Sequence, residues 1–97
     1  MIDDTTVLTL SSKVSFQPLG PDEGAVVLRT DSGQLYTCND TALALIQAVD
    51  GKRSLGAITD LMLDEFDVAR DLLATDLVRL ADELQAEGIV EILASGR

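Results

Sequence analysis

The sequence has no histidine and a single cysteine, Cys38, among its 97 residues. Histidine is the usual general base and the commonest metal ligand near neutral pH, and a lone cysteine without histidine is a poor nucleophile. One cysteine cannot form an internal disulfide, which fits a reducing cytoplasm. We therefore expect a cytoplasmic protein with no enzyme activity, no metal and no cofactor, in which Cys38 is a small apolar strand residue.

Basic residues are also scarce, with 7 Lys and Arg against 17 Asp and Glu, for a net charge of −10. Phosphate backbones and anionic membranes are bound by clustered Lys and Arg, and only Lys52 and Arg53 are adjacent here. No apolar run approaches the roughly 20 residues that span a bilayer. We expect binding to neither nucleic acid nor membrane, while the acidity fits either plain solubility or attraction of a basic partner.

The first half of the chain has the pattern of three antiparallel strands. Val14–Pro18 alternates apolar and polar residues with period two, as half-buried strands do. Ala25–Thr30 is β-branched and apolar, and Gln34–Asn39 follows as a third strand. The turn formers Gly20–Gly24 and Asp31–Gly33 lie between them, so the strands form a meander with Gln34–Asn39 at an edge.

The second half has the pattern of three helices. Asn39 or Asp40 caps the first helix, which Gly51 ends, and Ser54 caps the second. A long amphipathic helix is predicted from Asp67 to just before Gly88. The predicted buried residues are Ala42, Leu45, Ile46 and Val49 in the first helix, Leu55, Ile58, Leu61, Met62 and Phe66 in the second, and Leu73, Leu77, Leu80 and Leu84 in the third.

These elements predict a winged helix-turn-helix-like α+β domain, with a three-stranded antiparallel sheet followed by three helices. The predicted domain covers residues 12–93, with residues 1–11 and 94–97 as flexible termini. The segment Ile89–Leu93 fits either a short final strand or a packed tail. The fold is shared with DNA-binding proteins, but the acidic surface of the third helix argues against that function.

The edge strand Gln34–Asn39 is the most informative feature that remains. Unpaired N–H and C=O groups at a sheet edge accept an added strand unless Pro or Lys blocks it, and this segment has neither. Three alternatives stay open: the edge is merely short and binds nothing, residues Thr5–Leu10 cover it, or it pairs with a second copy of the chain.

The segments Tyr36–Ile46 and Val49–Leu55 resemble the PqqD-like family, in which an apolar residue and Asn end the third strand and an Asp-Gly turn precedes the second helix. The resemblance covers about residues 12–93, and Cys38 stands where Leu is usual. Further matching positions are Ile58, Asp76, Leu77, Leu80, Leu84 and Gly88–Val90.

The resemblance implies a RiPP recognition element, a domain that binds the leader of a ribosomally made precursor peptide as a fourth strand between the third strand and third helix. Thr9–Val14 and Asn39–Ala42 favour the free-standing type of lasso-peptide pathways, which presents the leader to a separate cysteine protease, with the cyclase as a further candidate partner. The alternative is the peptide chaperone of pyrroloquinoline quinone synthesis.

On this resemblance the docking strand consists of Leu35, Tyr36, Thr37 and Cys38. Helical spacing adds Leu72, Asp76, Arg79, Leu80 and Glu83 from the third helix. Two of these have simpler interpretations, since Leu80 suits the core and Asp76 suits an ion pair with Arg79.

Overall fold

The computed structural model describes residues 2–94 and contains the predicted three-stranded antiparallel sheet. Its strands are β2 (Val14–Pro18), β3 (Ala25–Arg29) and β4 (Leu35–Cys38), in the order β2-β3-β4. Phe16, Val27 and Tyr36 are cross-strand partners whose side chains share the face that packs on the core. The tight β3–β4 connection depends on Gly33, which has a φ of 74°.

A second, two-stranded sheet joins the two ends of the described chain. β1 (Val7–Leu10) pairs antiparallel with β5 (Val90–Ala94), so the strand alternative for Ile89–Leu93 is confirmed. The prediction of a loose segment over residues 1–11 differs from the structure, because the side chains of Ile2 and Leu8 are buried. The second predicted flexible segment was 94–97, and its first residue, Ala94, ends β5. Residues 1 and 95–97 lie outside the described part.

Backbone hydrogen bonds hold β1 against the loop before the second helix. The Leu55 N–H donates to the Thr6 carbonyl at 2.8 Å, and the Gly51 N–H donates to the Leu8 carbonyl at 3.0 Å. β1 therefore lies between β5 and this loop. The alternation in Val7–Leu10 is only four residues long, too short to predict a strand by itself.

The three helices are α1 (Asp40–Ala48), α2 (Leu55–Met62) and α3 (Arg70–Ala86). The predicted caps Asn39 and Ser54 are confirmed, since each side-chain oxygen accepts a hydrogen bond from the third residue of its helix.

Helix α3 begins three residues after the predicted start at Asp67. Residues 63–69 form a turn and loop in which the Phe66 N–H donates to the Met62 carbonyl. The Phe66 side chain packs on the core from this loop. The helix then starts after Ala69, without a side-chain cap.

The core lies between the two sheets and the three helices. Leu45, Leu55, Ile58 and Leu77 are almost completely buried, as their helical spacing predicts. Leu61 is an exception, because it is 46% exposed on the outer face of α2. No helix among residues 2–94 is long and apolar enough to cross a membrane.

We predict that Asn39→Ala lowers the free energy of unfolding by about 1 kcal/mol, because the first turn of α1 loses its side-chain acceptor. In the protein the Asn39 Oδ1 accepts from the Ala42 N–H at 2.9 Å. Urea denaturation measures the change. Asn39→Asp keeps an acceptor and should be close to wild type; an equal loss in both variants would contradict the capping role.

Candidate functional site

Strand β4 forms one edge of the three-stranded sheet, and the direction of its backbone groups follows from the register. The Arg29 N–H donates to the Gln34 carbonyl at 3.0 Å, and Arg29 and Gln34 continue the β3–β4 register. Because hydrogen-bonded and non-bonded pairs alternate along an antiparallel ladder, Tyr36 and Cys38 bond to β3. The N–H and C=O groups of Leu35 and Thr37 therefore point away from the sheet.

Within residues 2–94, no strand pairs with this outer edge of β4. The possibility that Thr5–Leu10 covers it is wrong, because β1 lies in the other sheet and pairs with β5. A further chain could therefore add to β4 by backbone hydrogen bonds.

The opposite edge of the sheet, β2, is less suited to strand addition. Pro18 has no N–H, and the Val14 N–H already donates to the Ser11 carbonyl at 3.2 Å. The ladder pattern leaves Phe16 with an outward N–H in that strand. Proline at a sheet edge limits pairing, so β4 is the better docking edge.

A groove separates β4 from the last two turns of α3, and we call it the β4–α3 groove. It encloses about 260 Å³. Its floor is apolar, one wall is β4, and the other wall carries two carboxylates. The lining residues are Val27, Tyr36, Thr37, Cys38, Glu83, Leu84, Glu87 and Ile89. The structure thus brings together four of the predicted residues: Tyr36, Thr37, Cys38 and Glu83.

Two other predicted residues, Leu72 and Asp76, line a second cavity near the start of α3, which we call the α3 N-terminal pocket. It encloses about 320 Å³ between α3, the start of α1 and the preceding loop. Leu72 is 68% exposed at this site. The other lining residues are Thr41, Phe66, Val68, Leu73 and Thr75.

Helical geometry relates the pocket to the groove. Leu72, Asp76, Glu83 and Glu87 fall on one flank of α3, and at 1.5 Å per residue the first and last are about 22 Å apart along the axis. An extended peptide covers that length with about seven residues. The flank is long enough for one docked strand to reach both cavities.

The remaining three predicted residues line neither the groove nor the pocket. Leu80 is buried at 9% exposure, which confirms the core interpretation. The Arg79 guanidinium lies 3.7 Å from the Asp76 carboxylate and 3.0 Å from that of Glu83, so the predicted ion pair with Asp76 is present. Leu35 is 67% exposed and, by strand alternation, points to the sheet face opposite Tyr36.

The acidic wall influences the one tyrosine of the site. Burial raises the pKa of the Tyr36 phenol, and the neighbouring Glu87 carboxylate raises it further. The phenol donates to the Gln34 Oε1 at 3.0 Å. Tyr36 therefore presents a neutral ring to the groove across the physiological pH range.

Arg29 connects the end of β3 to the end of α3 beside the groove. Its Nη1 donates to the Glu87 backbone carbonyl at 3.1 Å, and its Nη2 pairs with the Asp31 carboxylate at 2.8 Å. The guanidinium also contacts Gly88, where an added Cβ would lie 2.8 Å from Nη1. These contacts hold the last turn of α3 close to the sheet.

We predict that Cys38 is alkylated more slowly by iodoacetamide in the folded protein than in urea at the same pH. Partial burial raises the pKa of the Cys38 thiol, and the charge of Asp40 adds to the shift. A raised pKa means less thiolate at a given pH, and the thiolate is the reactive form. Labelling followed by mass spectrometry measures the rate. Equal rates in the two states would contradict the shielding.

Several lining residues were not predicted from the sequence. Glu87 lies four residues after Glu83 on the same helical flank, so the spacing contained a signal for it. The lining of the α3 N-terminal pocket also includes Thr41 from the first turn of α1, and Phe66 and Val68 from the loop before α3. In such segments the hydrophobic pattern has no period that would predict which side chains share a surface.

A larger cavity of about 470 Å³ lies on the other side of α3, between residues 2–5 and Ala74, Thr75 and Val78. None of the strands among residues 2–94 lines it, so the β4–α3 groove remains the better candidate for a peptide. Within residues 2–94, no cluster of Cys, Asp or Glu side chains is arranged to hold a metal ion.

The fold and the open edge together define a winged helix-turn-helix-like α+β domain whose sheet can accept a further strand. The chain belongs to the family described as coenzyme PQQ synthesis protein D (PqqD), whose sequence profile matches residues 24–90. No curated protein matches the sequence at a significant level.

Three solved structures have the same fold. A lasso peptide synthetase B1 complexed with the leader peptide is 25% identical, with a TM-score of 0.71 over 87% of this chain and 96% of that one. TbiB1 in complex with the TbiA(beta) leader peptide is 18% identical, with a TM-score of 0.74 over 90% and 99%. The PqqD truncation of Methylobacterium extorquens PqqCD, a stand-alone RiPP recognition element, is 18% identical, with a TM-score of 0.77 over 94% and 95%.

Proposed function

We propose that this protein binds the leader segment of a ribosomally synthesised precursor peptide by adding it as a strand to β4. The observation that carries the proposal is the outer edge of β4, which no strand among residues 2–94 occupies and which lies beside the β4–α3 groove. Strand addition gives sequence-independent affinity through backbone hydrogen bonds, and side-chain cavities give specificity. The two related B1 structures are complexes with leader peptides, which supports the same ligand class here.

The proposed binding site combines β4 with the flank of α3. Leu35 and Thr37 supply backbone groups, while Tyr36 and Cys38 face the groove. Leu72 offers apolar surface at the α3 N-terminal pocket, while Leu80 is buried in the core and does not line the groove. Asp76, Arg79 and Glu83 form the polar rim, whose exposed ion pairs add little affinity compared with the ladder and the apolar contacts.

The protein acts without catalysis in this proposal. It presents the bound leader to a separate cysteine protease, and then to the cyclase, of a lasso-peptide pathway. The 25% identity to a lasso peptide synthetase B1 favours this pathway. The family profile and the Methylobacterium extorquens domain support the second candidate, a peptide chaperone of pyrroloquinoline quinone synthesis.

A peptide titration tests the proposal. Synthetic peptides that cover the N-terminal halves of short reading frames next to the gene are added to ¹⁵N-labelled protein. One of them should bind with a Kd of about 1 μM or lower. The Leu35 and Thr37 amides should then exchange more slowly with solvent. Binding that leaves both amides unprotected would contradict the assigned edge, and failure of every peptide would contradict the function.

A further inference from the structure

One wall of the β4–α3 groove carries net negative charge. Glu83 and Glu87 are one helical turn apart and both line the groove. No Lys or Arg side chain of residues 2–94 lines it with them. The opposite wall is formed by β4 and the floor is apolar, so the two carboxylates are the charged side chains of this site.

The nearby cations are already engaged. Arg79 pairs with both Asp76 and Glu83, so its single charge is shared. Arg29 pairs with Asp31 and reaches the backbone carbonyl of Glu87. The Glu87 carboxylate forms no ion pair with a Lys or Arg of the described residues. This flank of α3 therefore holds three carboxylates against one guanidinium.

We infer that the peptide docked on β4 carries a lysine or arginine that faces α3, and that Glu83 and Glu87 select it. The inference rests on the proposed function, because it needs a strand added to β4. Alternate side chains of that strand point to the face shared by Tyr36 and Cys38. With strands about 4.8 Å apart, such a side chain enters the space between β4 and the acidic wall.

The shape of the groove favours a long basic side chain. Its floor is made of Val27, Leu84 and Ile89, so the methylene stem of Lys or Arg lies on apolar surface while the charged end reaches the carboxylates. The neutral ring of Tyr36 offers a further favourable contact to a cation. An aspartate or glutamate at the same peptide position would meet like charge.

The expected gain in affinity is moderate because Glu83 and Glu87 are exposed. Exposed ion pairs each contribute a factor of about two to five, so the two together should change the Kd by about tenfold. Salt screens such pairs, so the gain should shrink in 1 M NaCl. Charge of this kind acts mainly on specificity and association rate.

A display selection with random peptides as the probe tests the inference. A phage library of random 12-residue peptides is selected on three proteins: wild type, the double variant Glu83→Gln/Glu87→Gln, and the control Glu65→Gln/Glu91→Gln. The control removes the same charge from exposed positions outside the groove. Thermal denaturation confirms that all three are folded. Each selected peptide is then synthesised and assayed for its Kd and for protection of Cys38 from iodoacetamide.

We expect the peptides selected on wild type and on the control to protect Cys38 and to share a Lys or Arg at one position. Peptides selected on Glu83→Gln/Glu87→Gln, the groove variant, should show no enrichment of Lys or Arg at that position. The consensus peptide should bind the groove variant about tenfold more weakly in 50 mM NaCl and nearly as well in 1 M NaCl. Peptides that protect Cys38 but show no basic position, or no loss with the groove variant, would overturn the inference alone. Selections that yield no peptide protecting Cys38 would overturn the proposed function as well.

Discussion

Replacing Thr37 with proline is expected to raise the Kd for a docked peptide by about tenfold to hundredfold. Thr37 directs its N–H away from β3, so an added strand would use it as a donor, and proline has none. The peptide carbonyl that loses this donor is left unsatisfied at a cost of about 1–3 kcal/mol. The β3–β4 ladder does not use that N–H, so the free energy of unfolding should change by less than about 1 kcal/mol. Isothermal titration calorimetry measures the first change and urea denaturation the second.

Thr37→Val is the matched control for the proline variant. Valine is β-branched like threonine and keeps the backbone N–H, so the Kd should stay within about twofold of wild type. Comparable weakening in both variants would mean that the Thr37 hydroxyl, not the strand edge, makes the contact. Unchanged binding in the proline variant would exclude strand addition at this position.

Replacing Gly24 with alanine is expected to lower the free energy of unfolding by about 3 kcal/mol or more. Gly24 has a φ of 69°, and an added Cβ would overlap the carbonyl oxygen of Cys38. The left-handed conformation costs about 1–2 kcal/mol for a residue with a Cβ, and overpacking adds about 1–3 kcal/mol. For a domain of this size the midpoint of thermal unfolding should fall by about 15 °C or more.

The variant Gly33→Ala separates the conformational cost of the Gly24 substitution from its overpacking cost. Gly33 has a similar φ of 74°, but an added Cβ would meet no atom within 4 Å. We expect this variant to lose only about 1–2 kcal/mol, the conformational part of the cost. Circular dichroism melting curves of both variants give the comparison. A Gly24 variant as stable as the Gly33 variant would show that the end of β4 moves to accommodate the methyl group.

The close approach at Gly24 has a functional consequence as well. The Gly24 N–H donates to the Asp40 Oδ1 at 2.8 Å, so the start of β3 is joined to the first residue of α1. The end of β4 lies between these two points. A substitution at Gly24 should therefore weaken peptide docking in addition to stability, although Gly24 does not line the groove.

Local sequence patterns predicted most of the fold because the apolar residues of most helices and strands recur with a clear period. β2 has the predicted bounds since Val14–Pro18 alternates over its full length. The buried stripe of α3 follows from the spacing of Leu73, Leu77 and Leu84. β1 was missed because its stabilisation comes from β5 at the far end of the chain, and such long-range pairing leaves no local signal.

The start of α3 shows a second limit of local patterns. Asp67 is a good capping residue by type, but Phe66 turns toward the core and the loop continues to Ala69. Burial of an aromatic side chain outweighs a capping preference of about 1 kcal/mol.

The candidate site was predictable where it lies on regular elements. The family resemblance placed Tyr36 and Cys38 in the docking strand, and helical spacing added Glu83 from the third helix. The structure brings these three residues to one groove. The α3 N-terminal pocket depends on Phe66 and Val68 in an irregular loop, so its existence could be known only from the tertiary structure. The roles of all these residues in peptide binding stay predictions.

The pairing of Val7 with Ala94 places the outer ends of the first and last strands of the described part side by side. A short linker could therefore connect the two ends while new termini are opened in a surface turn, such as the one around Ser32. Circular permutants of this kind are tolerated when termini are close and the opened loop is exposed. The same proximity would let a host protein carry this domain as an insertion in a single surface loop, with little separation required between the two points of attachment.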